Sequence, residues 1–369
     1  MNSKLAAAII VIIIAVVLAV AIINFGITGF ASGAAAPGQS LFMNQNDPAV
    51  ALAKQEFREE YSPGWENMEL YEKYVDIIGA NGILDVLEEN SCHSEAHDLG
   101  KIIFSRSGDL EESITICGDR CTSACLHGVL MEMLEGNITQ HPGDPEGHAR
   151  LSDIEKEINS ICNKEEITSV HSEGTCIHGL GHAIMHLSGY DINESLRVCD
   201  TLEEKPQSYY CATGAFMEYH IVYGERDLQN EGLRYPCDAF KQYPAACYRY
   251  KMQYSMPKML AEGMSVEDIS GECMKLEKLE RLGCFHGIGF FFLPHIEESP
   301  ARISEICIFG NSDDRRMCIE GAVEKLADYN QEKAFEACSH LDGADREICT
   351  EAASGKMYRM DKDFSLYFG

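Results

Sequence analysis

Positive charge is scarce in this sequence. Its 369 residues carry 30 Lys plus Arg against 59 Asp plus Glu, for a formal charge of -29. A surface that acidic repels phosphate backbones and anionic headgroups, which excludes nucleic acid as a partner through any basic patch. Familiar catalytic phrases are missing as well. No G-x-S-x-G, phosphate-binding loop or dinucleotide fingerprint occurs, so the chemistries built on them lack their scaffold. There is no C-x-x-C-H, which removes covalent haem attachment. His93-Ser-Glu-Ala-His97 is not the zincin H-E-x-x-H, because its glutamate stands two residues after the first histidine, rotated off the face a general base needs.

One long apolar run is present. Residues 5–30 hold no charge and are long enough to cross a ~30 Å hydrocarbon core as a helix. Lys4 precedes them and an acidic body follows, which places the short N-terminus in the cytoplasm and the rest outside. The expectation is a single-pass cell-membrane protein, partnered with the membrane through this helix, with an extracytoplasmic body. A cleaved signal peptide is the alternative, since ASGAAA (31–36) offers small residues to a peptidase. Residues 31–47 read as a flexible stalk. Residues 48–91 read as an N-terminal helical cap with Val75, Ile78, Ile83, Val86 and Leu87 as its core stripe. Residues 92–355 read as a Cys/His-rich helical repeat domain, interrupted by a Pro/Gly-rich loop at 136–160, and 356–369 as a frayed tail.

Cysteine is what the chain has in abundance: 16 residues, and they keep time. Cys176, Cys211, Cys247, Cys284, Cys318 and Cys349 follow one another at 35, 36, 37, 34 and 31 residues. Each is preceded by Cys162, Cys199, Cys237, Cys273, Cys307 or Cys338 at 10 to 14 residues. A period in the 30s marks a stacked helical-hairpin array, and a cysteine pair at each junction marks a staple made outside the reducing cytosol. In one copy, a helix opens at Cys176 and runs to Leu187, Gly189-Tyr-Asp-Ile192 turns, and a short helix ends at Cys199 before the return into Cys211. The register pairs Cys162–Cys176, Cys199–Cys211, Cys237–Cys247, Cys273–Cys284, Cys307–Cys318 and Cys338–Cys349. Closing each such loop removes about 3 kcal/mol of unfolded-state entropy. Cys92, Cys117, Cys121 and Cys125 remain. The register suggests Cys117–Cys125 with Cys92–Cys121 left over, but four cysteines allow three connectivities and the pairing stays open.

The phrase Ala-Cys, about ten residues, Cys-x-x-Gly, at this period, resembles the disulfide-bonded, tetratricopeptide-related repeats of cysteine-rich exported bacterial proteins. The resemblance covers residues 92–355 and departs from that pattern in lacking second-helix alanines. CIHGLGHAIMH (176–186), CATGAFMEY (211–219) and CHSEAHDLG (92–100) are similar to phrases of uncharacterised exported prokaryotic Cys/His-rich proteins. The cysteine period and this resemblance lead to an expected fold that is all-α, a disulfide-stapled helical-hairpin solenoid, to which residues 5–30 add an N-terminal transmembrane helix. The resemblance carries no activity with it.

Histidines supply the chemistry. His93 and His97 are four apart, and His178, His182 and His186 are four apart twice. At 100° per residue the latter three fall in one arc, nearly opposite Ile177, Leu180, Ile184 and Leu187, so a face of histidine is expected away from the buried face. Imidazoles at i and i+4 can hold one metal ion. His127, His178 and His286 each follow a cysteine by two, and His127 and His178 become neighbours if 136–160 loops out. His93, His97, His127, His178, His182, His186 and His286 are therefore the candidate ligands for Zn, Cu or Fe. Glu95, Glu132, Glu218 and His220 are nearby donors. Structural capping is the competing reading for His127 and His286, and core packing for Met131, Met133, Met185 and Met217.

Two functions follow. The first is a binding or scaffold module holding a protein or peptide partner on the solenoid face. The second is a metal-dependent enzyme or metal-handling protein that uses the HxxxH clusters. A labile cysteine pair among Cys92, Cys117, Cys121 and Cys125 would make a redox protein, a weaker third.

Overall fold

The computed structural model describes residues 43–63, 67–89, 92–139, 151, 155, 158–228, 232–355 and 357–368, all within the compact unit Ser40–Gly369. Every regular element among them is helical. The principal helices are α1 (Pro48–Glu60), α2 (Met68–Leu87), α3 (His93–Ser107), α4 (Leu110–Cys117), α5 (Ala124–Thr139), α6 (Glu173–Leu187), α7 (Ile192–Cys199), α8 (Lys205–Leu228), α9 (Pro244–Ala261), α10 (Val266–Cys273), α11 (Lys278–Phe291), α12 (Ser312–Ser339) and α13 (Gly343–Ser354).

Local chemistry sets the boundaries. Asp191 accepts hydrogen bonds from the Asn193 and Glu194 amides to open α7, and Ser265 with Asp268 forms a capping box on α10. Gly108, at φ +62°, ends α3 in the left-handed conformation that glycine adopts without penalty. The expected stripe Val75, Ile78, Ile83, Val86 and Leu87 is buried on α2, which breaks at Gly79 (φ +71°).

Each longer helix packs on the next in the order α3, α5, α6, α8, α9, α11, α12, α13, and short α4, α7 and α10 carry the chain back between them. Disulfides close the junctions. The register pairs Cys162–Cys176, Cys199–Cys211, Cys237–Cys247, Cys273–Cys284, Cys307–Cys318 and Cys338–Cys349 are present, with Cys117–Cys125 and Cys92–Cys121, all at Cα separations of 5.3 to 5.7 Å. Cysteine-rich and all-α, the fold is as expected.

The membrane-spanning helix is a correction. Among the described residues no helix is long and apolar enough to cross a membrane. Residues 5–30, on which that expectation stood, lie outside them, as do most of 31–47 and 136–160. The single-pass anchor, the membrane as partner and the cell-membrane location go with it. The eight disulfides point to an oxidising environment.

The run of helices curls back on itself. Tyr329 on α12 brings its hydroxyl within 3.5 Å of Thr122 Oγ1, 207 residues earlier. Residues 357–368, expected as a frayed tail, fill the space inside. Tyr358, Phe364 and Tyr367 are buried, the Tyr210 hydroxyl donates to the Arg359 carbonyl at 2.7 Å, and the Tyr250 and Tyr358 hydroxyls meet at 2.8 Å. Aromatic burial outweighs the charged look of DKDFSLYF, because each ring removes a large apolar area from water. A cavity of about 680 Å³ is left between the two ends of the array, lined by Cys92, Thr122, His171, Phe290, Lys325 and Tyr358 among others.

Candidate metal centre

Close helix crossings assemble the site. On Gly128 of α5, a Cβ would stand 1.9 Å from the His97 carbonyl oxygen of α3; on Gly214 of α8, 1.9 Å from that of His178 on α6. Only glycine allows these backbones so near. The approach draws the side chains of α3, α5, α6 and α8 into one small volume.

His93, His97, His127 and His182 each bring a ring nitrogen to within 4.8 Å of the other three. His178 borders the set, with its ring 5.3 Å from that of His127 and 4.9 Å from that of His182. His127 and His178 thus lie side by side, as their shared register position suggested. The histidine face of α6 does not point outward: His178 and His182 are as fully buried as Leu180 and Ile184. The reason is position, since α6 lies between α5 and α8 in the stack, and Tyr358 stacks on His178 at 4.2 Å.

Hydrogen bonding fixes which nitrogens are bare. The Thr122 hydroxyl donates to the Cys121 carbonyl at 2.6 Å, so at 2.9 Å it accepts from Nδ1 of His93. In the same way Thr213 donates to the Tyr210 carbonyl at 2.6 Å and accepts from Nδ1 of His178 at 2.9 Å. Nδ1 of His182 donates to Glu218 Oε2 at 2.9 Å. With a proton on each Nδ1, the Nε2 atoms of His93, His178 and His182 carry lone pairs. Nε2 of His178 accepts from the Tyr358 hydroxyl at 3.1 Å yet also faces Nε2 of His182 at 3.2 Å. Nε2 of His93 and of His127 is buried with no hydrogen-bond partner among the described residues. Burial pushes His93, His97, His127 and His178 well below the usual histidine range, and the neighbouring imidazoles, Lys325 or Arg249 push the same way. Neutral imidazoles with converging lone pairs are what a metal ion requires.

The donor set fits such an ion. Tetrahedral zinc bonds of about 2.1 Å put ligand nitrogens about 3.4 Å apart, so modest ring movements close this cluster onto one ion. The His182–Glu218 contact is the carboxylate–histidine arrangement that orients a ligand from behind. A shared proton bridging His182 and His178 would satisfy that pair alone, leaving Nε2 of His93 and His127 bare. Nδ1 of His127 meets Nε2 of His97 at 3.3 Å, and a cation held among these rings would give the bare Nε2 atoms of His93 and His127 a partner.

A strained turn separates the cluster from the cavity. Cys121, Thr122 and Ser123 have φ of 52°, 54° and 62°, three successive non-glycine residues in the left-handed region. Such positions cost on the order of 1–3 kcal/mol each and persist where surroundings enforce them. Here the Cys92–Cys121 disulfide, the Thr122–His93 contact and a Ser123–His171 hydrogen bond of 3.0 Å do so.

Two sequence candidates lie elsewhere. His186, near the end of α6, contacts the Tyr190 hydroxyl at 3.1 Å and Glu135 at 3.4 Å. His286, on α11, is buried outside the cluster, with neither ring nitrogen hydrogen-bonded among the described residues. Glu218 serves as the hydrogen-bond partner of His182, while Glu95 and Glu132 are not in the set. His220 sits 3.6 Å from Cys247 Sγ in a second group with Cys237, but those two cysteines are joined in a disulfide and offer no thiolate. Met131, Met133 and Met185 pack in the core. Sequence reading missed Thr122, Thr213, His171 and Tyr358. Thr213 had a signal, since it follows Cys211 by two as His127 and His178 follow their cysteines; Tyr358 had none.

An all-α, disulfide-rich protein with a buried histidine cluster able to hold a metal ion is the class that fold and site define. No family model, curated protein or solved structure matches the chain. The tetratricopeptide-related resemblance therefore stands on the cysteine pattern alone.

Proposed function

We propose that this chain is a transition-metal protein, of the metal-dependent enzyme or metal-handling kind, with His93, His97, His127 and His182 as ligands and His178 beside them. The observation that carries the reading is the convergence of ring nitrogens from four histidines at one site, with Nε2 of His93 and of His127 buried and without a hydrogen-bond partner among the described residues. Leaving buried polar atoms unpaired is costly, and a bound cation removes the cost for the whole group.

An all-imidazole set suits zinc, copper or iron. A bound ion would supply Lewis acidity or an activated water. The protein's part is legible without it. Glu218 fixes the ring of His182, Thr122 and Thr213 fix those of His93 and His178, and the Tyr358 hydroxyl holds a proton at Nε2 of His178. The cavity supports an enzyme or handler over a scaffold: its wall includes Cys121, Thr122 and Tyr358, one side chain away from the cluster. Residues 357–368 already occupy the inner side of the array, where a protein or peptide partner was expected. Elemental mass spectrometry on the chain purified without chelators, in native form and as His97→Ala/His182→Ala, tests the proposal. About one metal ion per native chain, lost in the variant, is the expected result.

A further inference from the structure

The cavity has a size typical of small-molecule sites, about 680 Å³ against the usual range of about 300–1,000 Å³. Of the two cations that line it, Arg120 is paired with Asp85 and Glu88, both at 2.6 Å. Lys325 lines it with its ammonium 4.6 Å from the Phe290 ring centroid and 5.8 Å from that of Tyr329, and makes no ion pair among the described residues. Beneath Phe290, Met357 and Tyr358, which form part of the wall, lies Arg249. Arg249 is 2% exposed; its guanidinium stacks 5.4 Å from the Tyr358 ring and donates to Met357 Sδ at 3.4 Å, while its Nε has no hydrogen-bond partner among the described residues. Neither Lys325 nor Arg249 has a carboxylate within hydrogen-bonding distance among the described residues. A buried, unpaired cation is costly unless an anion compensates it. Stacking on aromatic rings offsets only part of that cost.

The walls also carry four acidic side chains, Glu88, Asp119, Glu297 and Asp328. Glu88 is taken up by Arg120 at 2.6 Å, and Asp328 accepts from the Met357 amide at 3.3 Å. The acids would repel a dianion such as phosphate more than a single carboxylate, and Phe290, Phe291 and Tyr329 offer flat apolar surface. We propose that the cavity binds a small molecule with one carboxylate on a flat apolar body, the carboxylate held by Lys325 and the body against Phe290 and Tyr329. This deepens the metal reading and rests on it only for what the molecule's far end meets behind Thr122 and Tyr358.

Calorimetric titration of the full chain with benzoate and with neutral benzamide, after metal content is measured on each preparation, tests the proposal. Benzoate should bind at one site at least tenfold more tightly than benzamide. Lys325→Gln should weaken benzoate at least tenfold, and Lys325→Arg should restore most of the affinity. No benzoate binding, equal binding of benzamide, or binding that survives Lys325→Gln overturns the pocket. Lys325-dependent binding in a chain that carries no metal supports the pocket and defeats the metal reading. A metal-loaded chain whose benzoate affinity ignores Lys325 does the reverse.

Discussion

Gly100 with Gly128 near the start of the array, and Gly289 with Gly321 near its end, let pairs of long helices cross almost backbone to backbone. The polar groups placed at the two crossings are opposite in kind. The first gathers imidazoles: His93, His97, His127, His178 and His182. The second gathers charges. Glu320 meets Arg316 at 2.7 Å, Lys362 at 3.0 Å and the Tyr367 hydroxyl at 2.7 Å, and Lys362 also meets Glu324 at 2.7 Å. Glu320 follows Cys318 by two, the register position held by His127 and His178 in the first half. The same backbone geometry therefore hosts a set that leaves lone pairs open and a set that satisfies itself. The comparison teaches that helix crossing fixes where polar groups gather, and residue type at the cysteine-plus-two position decides whether they need an outside ion.

The largest difference to expect is in metal content. His97→Ala/His182→Ala should take bound metal from about one ion per chain to background, while Glu320→Gln leaves it unchanged. Loss of metal in both, measured by elemental mass spectrometry, would erase the distinction between the centres. Stability should show the reverse order. Glu320→Ala leaves buried Lys362 with Glu324 alone and removes the partner of Arg316, and should cost about 3 kcal/mol, whereas His97→Ala in metal-free protein should cost below about 2 kcal/mol. Urea denaturation with circular dichroism ranks the two.

Glycine substitution sharpens what the halves share. Gly128→Ala and Gly289→Ala each set a Cβ 1.9 Å from a backbone oxygen and should each cost about 3 kcal/mol. Only Gly128→Ala should also lower metal affinity, because it pushes α3 from α5.

Acid separates the centres more gently, by the pH at which each weakens. His93, His97, His127 and His178 sit well below the ordinary pKa of 6.5, so below that value the unfolded chain binds protons the folded one refuses. Their contribution is complete above about pH 6.5 and falls by up to about 1.4 kcal/mol per histidine per pH unit below it. Burial raises Glu320, but Lys362, with Arg316 and Tyr367, outweighs it and holds the carboxyl at about 2. That contribution is present above the unfolded value of 4.5 and is lost as pH falls toward 2. Metal-free protein should therefore lose urea resistance first between pH 6.5 and 5, then again below pH 4.5. A single loss confined to the lower window would contradict the neutral histidine centre.

Much of this was legible in the sequence because it is periodic. Cysteine spacing reports helix junctions, which are local, and the register pairs came directly from it. The neighbourhood of His127 and His178 was readable for the same reason, since equivalent positions in adjacent copies must lie close. What was not readable is long-range. Nothing near Tyr358 or Arg359 in sequence signals that the chain's end turns inward to touch residues more than a hundred positions earlier, nor near Lys362 that it reaches back 42 positions to Glu320. The inward placement of His178 and His182 depends on that return and on flanking helices, so helical periodicity alone assigned them to a free face. His286 shares the register of His127, but the charged neighbours it senses are Arg249 and Lys362 instead of further imidazoles.

Counting metal ions per chain is the most direct test. The full protein, made in an oxidising compartment and purified without chelators, should carry about one transition-metal ion, absent from a folded His97→Ala/His182→Ala variant. A native chain with all eight disulfides formed and no metal above background would contradict the histidine centre and return its five imidazoles to structure.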